Sequence, residues 1–599
     1  MTTSATDFVP FIPDNAPFSP EQRAWLNGFL AGMYSHARPA VNTEPSPSLK
    51  IAVLFASQSG TAEGLARKVQ KELTSKGHVA TLLPLEGYTP ASLAAERYAV
   101  LIASTYGQGD PPDAVQPFYN QLCMEHFPRF ENLSFAVLAL GDSNYEHFCK
   151  FGRDLDEKLA ALGGFRICER VDCDVDIDAP FALWKEALYR TIAAITAAPS
   201  IAQKPEVAAG STDKASSQPA TKKVAIHNRD NPYFAPVVDK RPLTRDVSSK
   251  LTLHMALSIV GSEVTYEAGD ACGVIPQNDH RLVDEILHRL KFHPDISVQI
   301  PKAGTVSLHA ALLDHLQITR LTRKIVSAYA TMGRCQHLMD LLEPKQQTNL
   351  DAYVFDRGLI DLLYEYPDVL RDPADLVAML PKLTPRLYSI SSSPAAHAGE
   401  IHTTVAVVRY RSHNRERGGV CSTMFADRSH PESRLPIYIQ PNKKFRLPQH
   451  GDRPIIMIGP GTGVAPFRGF LHERRAVGAS GKNWLFFGER SAATDFLYRE
   501  ELESMRKDNF LTRLDLAFSR DQEHKVYVQD KMLKEAPLFW SWLQEGANLY
   551  VCGDASRMAK DVDATLHTIV EQQGGMNSDT AQEYVQALKD QHRYHRDVY

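Results

Sequence analysis

Three short loops carry the densest polar chemistry in the first third of the sequence: SQSGTAEG (57–64), STYGQGDPPD (104–113) and GDSNYEHFC (141–149). The first presents hydroxyls from Ser57, Ser59 and Thr61, interleaved with Gln58, Gly60 and Ala62, and it contains no lysine. A triphosphate loop requires G-x-x-x-x-G-K-S/T, whose lysine reaches the outer phosphates. Hydroxyls and backbone N–H groups at a helix start suit a terminal monophosphate instead, because the helix N-terminus supplies positive potential without a cation. A mononucleotide is the indicated ligand. The other two loops bring Tyr106 and Tyr145, a pair able to sandwich a flat aromatic ring. The nearby run Asp172, Asp174, Asp176, Asp178 imitates a calcium loop but fails, with Ile177 at the glycine position and Leu183 at the glutamate position.

The second half holds a different set. RLYS (Arg386, Leu387, Tyr388, Ser389) and GGVCS (Gly418, Gly419, Val420, Cys421, Ser422) combine an arginine, a stackable ring and glycine-freed backbone donors, the equipment for a pyrophosphate. GPGTGVAPFRGF, with Gly461 and Thr462, follows an apolar strand and opens a helix, the context of a dinucleotide glycine loop. Downstream, SRDQEHKVYVQ offers Ser519, Arg520, Lys525, Val526, Tyr527, Val528 and Gln529. A hydroxyl, two cations and a tyrosine favour a ribose carrying a 2′-phosphate, hence NADPH over NADH.

These loops need scaffolds. KIAVLFAS, YAVLIAST and FAVLALGD are near-continuous apolar runs separated by amphipathic segments, which predicts a doubly wound parallel α/β domain over 49–197. Residues 198–223 lie in a stretch rich in Ala, Ser, Pro and Lys, read as a flexible linker. Alternating strands over 224–448 predict an antiparallel β-barrel interrupted by a helical insert at about 279–380. Strand–helix alternation returns over 449–599. Residues 1–48 are Pro-rich apart from one amphipathic helix bearing Trp25, Leu26, Phe29, Leu30 and Met33.

Composition excludes several classes. No apolar run approaches the ~18 residues of a membrane span, and the opening segment lacks the basic and apolar regions of an export signal. The eight cysteines include no C-x-x-C pair, so neither a zinc ribbon nor a ferredoxin cluster is expected, and scattered thiols fit a reducing cytoplasm. Net charge is -5, and residues 50–197 hold 19 acidic and 14 basic side chains, so this domain carries the whole excess. That gives no footprint for nucleic acid but offers an acidic face to a protein partner.

The first domain resembles flavodoxin, which implies FMN held by Ser57–Ala62, by Ser104, Thr105, Tyr106, Gly107, Gln108 and Gly109, and by Leu140, Gly141, Asp142, Asn144, Tyr145, Phe148 and Cys149. The order of RLYS, GGVCS, GPGTG, SR…K-x-YVQ and YVCGD resembles the ferredoxin–NADP reductase module, with FAD in the barrel and NADPH in the last domain. Together they resemble the diflavin reductases, on the sulfite reductase branch. The resemblance implies further cofactor contacts at Thr322, Thr404, Val405, Ala406, Tyr410 and Asp561. It implies that Ser389, Cys552 and Asp597 surround the hydride path while Tyr599 stacks on the flavin. It also implies electron flow from NADPH through FAD and FMN to a separate sirohaem and iron–sulfur haemoprotein (the beta component), and a homo-oligomer formed through the N-terminal region. A soluble reductase of a haem-thiolate monooxygenase and a non-catalytic flavin-binding scaffold are the alternatives.

Overall fold

The computed structural model describes residues 12–13, 16–19, 22–23, 26–27, 48–57, 60–105, 109–112, 115–123, 129–141, 147–174, 177–197, 227–301 and 303–599. The expected linker at 198–223 and most of the helix expected around Trp25 lie outside these residues.

Six strands build a parallel sheet: β1 (Lys50–Ala56), β2 (Val79–Pro84), β3 (Tyr98–Ser104), β4 (Ser134–Leu140), β5 (Phe165–Arg166) and β6 (Val171–Cys173). Their order is β2-β1-β3-β4-β5, with β6 also pairing β4. The central strands are buried along almost their whole length because helices cover both faces. Helix Thr61–Ser75 places Ala62, Leu65, Ala66, Val69 and Leu73 on one stripe, and this stripe packs with Trp184 and Leu188 against one face. Phe118, Phe151 and Leu155 cover the other. Strand order reverses between β1 and β3, so the loops after β1, β3 and β4 meet at one crevice.

The next unit begins with β7 (Tyr233–Pro242), β8 (Leu251–Ser258) and β9 (Ala271–Val274). Helices then run from His280 to Met379 around their own core of Leu312, Tyr329 and Leu362. This insert is not purely helical. A hairpin of β10 (Ser297–Ile300) and β11 (Gly304–Ser307) sits within it, turned at Gly304, whose φ of 78° is left-handed. Strands this short carry too few positions for period two to stand out from a helical pattern. The barrel resumes with β12 (Arg386–Ser389) and β13 (Glu400–Val407); a side hairpin of β14 (Arg409–Ser412) and β15 (Arg415–Gly418) precedes β16 (Arg434–Gln440). The order β12-β9-β16-β7-β8-β13 closes through the Ile390–Thr403 bridge and the 2.8 Å bond from Ser391 N to His402 O, so no edge is left open there.

The last unit is a parallel sheet of β17 (Ile455–Ile458), β18 (Asn483–Glu489), β19 (Arg513–Phe518), β20 (Asn548–Gly553) and β21 (Tyr594–Val598), ordered β19-β18-β17-β20-β21. Its switch point lies between β17 and β20, where a dinucleotide crevice forms in such folds.

Candidate functional site

At the first crevice, Ser57 follows β1 and Thr105 follows β3, and the hydroxyls of both are buried with no hydrogen-bond partner among the described residues. An unsatisfied buried hydroxyl is costly, and two facing one strand-end crevice beside the N-terminus of Thr61–Ser75 fit a phosphate acceptor such as that of FMN. Gly60, at φ 86°, turns the chain into that helix. Thr61, Ser104, Leu140, Gly141, Phe148 and Cys149 line the same large cleft. Gly109 (φ 106°) abuts His147, where an added Cβ would come within 2.5 Å of that side chain. Cys149 is buried with its Sγ 3.5 Å from the carbonyls of Ala139 and Cys173, and burial pushes its thiol far up, so it packs and does not react. Gln58, Ser59, Tyr106, Gly107, Gln108, Asp142, Asn144 and Tyr145 lie outside the described residues, and with them the aromatic sandwich.

At the barrel, Arg386 Nη1 donates to Thr384 Oγ1 at 2.6 Å, which fixes its guanidinium at the mouth of β12. Tyr388 meets Phe425 edge to face at 5.3 Å, while Leu387 is exposed. Gly418 and Gly419 are close to Thr423 and Ser422: added Cβ atoms would lie 2.5 Å and 2.7 Å from those side chains. Only glycine leaves this turn open for a diphosphate such as that of FAD, and Val420, Cys421 and Ser422 continue it as a helical turn. Tyr410 stands on the β14–β15 hairpin, and Thr322 caps the helix Arg323–Gly333 through the Ile325 N–H. Thr404 turns inward to hydrogen-bond Tyr498 at 2.7 Å and Val405 packs in the barrel core; β13 pairing alternates its faces, leaving only Ala406 exposed.

The barrel and the last sheet converge on one carboxylate. Asp597 Oδ2 accepts from Ser389 Oγ at 3.0 Å and lies 3.9 Å from Cys552 Sγ. Parallel pairing of β20 with β21 sets Cys552 opposite Asp597. Burial pushes the Asp597 carboxyl up, against the Ser389 bond, and burial followed by the neighbouring Asp597 pushes the Cys552 thiol well up. The thiol therefore stays protonated. Tyr599 is clamped by its backbone, through N to Gly553 O at 3.0 Å and its own carbonyl to Ala555 N at 3.1 Å, while the residue as a whole remains 54% exposed. Its hydroxyl is 3.1 Å from Thr462 Oγ1, in a recess of about 380 Å³ that Lys250, Ala406, Gly461 and Gly553 also line.

The glycine loop touches β20 directly. A Cβ on Gly463 would sit 2.1 Å from Cys552 O, and Gly461 adopts φ 60°. Such a bare turn beside an exposed ring fits the diphosphate and nicotinamide ends of a dinucleotide. Ser519 and Arg520 leave β19 with backbone bonds to Glu489 and Arg490, and Lys525 and Tyr527 are exposed. Val526 and Val528 pack inward, Gln529 is half-buried, and Gln529 Nε2 donates to Asp561 at 3.2 Å.

Family models match in chain order: flavodoxin over 53–184, FAD binding domain over 226–424 and oxidoreductase NAD-binding domain over 457–564. A sulfite reductase (NADPH) flavoprotein alpha-component of Bacillus subtilis strain 168 is 41% identical over 96% of this chain and 95% of its own. That of Serratia proteamaculans strain 568 is 40% identical with both chains covered fully, and that of Mannheimia succiniciproducens is 39% identical over 98% and 97%. The chain belongs to this flavoprotein family. It is an oxidoreductase with FMN, FAD and NADPH domains.

Two residues of the site escaped sequence reasoning. Asn442 Nδ2 reaches Asp597 Oδ1 at 3.3 Å, and Lys250 forms a close ion pair with Glu489 at the recess under Tyr599. Burial, then Arg490, lowers the Lys250 ammonium to about 8. Neither residue belongs to a motif; each is brought in from a barrel segment, so only the fold reveals it. No helix among the described residues is long and apolar enough to cross a membrane.

Proposed function

We propose that this chain is the electron-supplying flavoprotein of an NADPH-dependent sulfite reductase, holding FMN in residues 49–197, FAD in 224–448 and NADPH in 449–599. It delivers electrons to a separate sirohaem and iron–sulfur haemoprotein in the cytoplasm. When bound, the nicotinamide supplies a hydride and the flavins convert that electron pair into single electrons. The observation that carries the reading is the convergence of Ser389, Cys552 and Asp597 beside Tyr599, at the junction of barrel and nucleotide domain. Asp597 holds a negative charge where positive charge develops as hydride departs, Ser389 and Cys552 orient it, and the Tyr599 ring yields to the nicotinamide ring.

The relatives' shared name supports sulfite as the system served, over the haem-thiolate monooxygenase alternative. Segment 198–223 links the FMN unit to the rest, and residues 1–48 hold the chain in a homo-oligomer; unchanged oligomer mass after their deletion would sink that assignment. The main test is sulfide production from sulfite and NADPH by the flavin-loaded chain, with and without a sulfite reductase haemoprotein. Sulfide only in the mixture is expected. Dye reduction without sulfide in the mixture would move the function to another haem acceptor.

A further inference from the structure

Asn442 lies in the segment between β16 and β17, in none of the motifs above. Its side chain donates to Asp597 Oδ1 at 3.3 Å, leaving Oδ2 to Ser389 and Cys552. The backbone around it is fixed. Asn442 N donates to Asp270 Oδ1 at 2.9 Å, Asn442 O accepts from Phe445 N at 3.2 Å, and Asp270 is only 4% exposed. Asp270 is itself paired with Arg446 and accepts from Glu267 N at 2.9 Å. Gly269 presses on the same segment, since a Cβ there would lie 2.0 Å from Phe445 O. The loop is thus built to present one amide at one carboxylate oxygen.

We propose that Asn442 is a positioning residue for hydride transfer: its amide pins Oδ1 of Asp597, so that Oδ2 faces Ser389 and Cys552 in a single orientation and the carboxylate stays ionised. A neutral amide does this where a cation would not, because it orients the carboxylate without cancelling the charge offered to the reacting ring. The titratable and charged groups around Asp597 are Cys552 on β20, Tyr599 beyond β21, and Asp270 with Arg446 behind Asn442. Ser389 is the remaining donor. Of the two amide hydrogens, only the one on Asp597 is needed for this role.

The proposal rests on the Asp597 site proposed above, and its test separates the two. In the flavin-loaded chain, Asn442→Ala and the isosteric Asn442→Asp are compared with wild type and Asp597→Asn. Removing a donor to the anion favours the protonated acid, and a second carboxylate favours it further. The infrared carbonyl band that Asp597→Asn abolishes is therefore expected to titrate at higher pH in Asn442→Ala, and higher again in Asn442→Asp. The acid limb of NADPH-driven flavin bleaching moves up in the same order, with the rate at its plateau lower by about tenfold in Asn442→Ala. FAD content and the affinity for 2′,5′-ADP, which lacks nicotinamide, stay within twofold of wild type. An unmoved carbonyl titration and acid limb, or a rate loss matched by FAD loss, overturns the proposal. Failure of Asp597→Asn to slow bleaching overturns the underlying site instead.

Discussion

Asp597 is one carboxylate held from three separate stretches of chain, Ser389 and Asn442 on the barrel side and Cys552 on the neighbouring strand. A group so constrained loses little orientation entropy at the moment of reaction, which is where such a site gains rate. The strand ends hold it rigidly because Gly463 lets the glycine loop lie on Cys552 O, a contact that an added Cβ would close to 2.1 Å. Gly463→Ala is therefore expected to displace β20 by enough to slow NADPH-driven flavin bleaching roughly a hundredfold, as a misplacement of ~1 Å does. FAD content should be unaffected, and rapid mixing with NADPH gives the check. At this scale the sequence was readable where a residue type announces its chemistry within a motif, as with Ser389 or the glycine loop. It was silent on Asn442 and Lys250, since an amide or an amine outside a motif acquires meaning only from what the fold sets opposite it.

Among elements, the β14–β15 hairpin binds the barrel to the insert. Arg417 makes two bonds to Asp361, at 2.8 Å and 2.9 Å, with both side chains nearly buried, and Arg415 pairs with Glu285. Asp361 also caps its own helix through the Gly358 N–H. Gly418 and Gly419 follow Arg417 directly, so the staple sets the turn proposed for the FAD diphosphate. Removing one partner of a buried pair costs about 3–5 kcal/mol, because the other is left uncompensated. Arg417→Ala is expected to purify with FAD reduced to below roughly half of FMN, on the strength of that loss. Flavin extraction and quantification measure it, and an unchanged ratio contradicts it. The central strands of both parallel sheets were legible because burial on two faces demands apolar runs. Edge strand β2, with alternating half-exposure, and the short β10–β11 hairpin were not, because their patterns are too weak to choose a period.

Over the whole molecule, the barrel and the nucleotide domain meet through a buried polar junction. His254 Nδ1 lies 3.1 Å from Tyr498 OH, Arg468 donates to Ser391 O at 2.8 Å and pairs with Glu501, and His402 meets both His254 and His397 edge to face. Burial, then Arg468, lowers the His254 imidazole to about 3. The unfolded chain therefore takes up that proton first as pH falls below ~6.5, and the stability contributed by neutral His254 is complete above that pH and lost toward pH 3, at about 1.4 kcal/mol per pH unit. Glu501, pushed up by burial but brought to about 2 by His472 and Arg468, contributes stability that is complete above about pH 4.5 and lost as pH falls toward 2. His254→Asn should flatten the fall in urea-unfolding stability between pH 6.5 and 5 by about one proton's worth. An identical slope would contradict it. This junction explains why GPGTGVAPFRGF does two jobs: Gly461 lines the recess under Tyr599 and Gly463 lies on β20, while Arg468 and Gly469 grip the barrel, with a Cβ at Gly469 only 2.8 Å from Ser392 O.

The central claim is a direction of flow, with electrons received beside Asp597 and released from the crevice of Ser57 and Thr105. The decisive measurement removes FMN selectively and follows two signals after mixing with NADPH: bleaching of the remaining flavin, and sulfide formed with an added haemoprotein. The account predicts undiminished bleaching with sulfide lost, and sulfide restored when FMN is returned. Sulfide production that survives without FMN, or bleaching that disappears with it, would contradict the account.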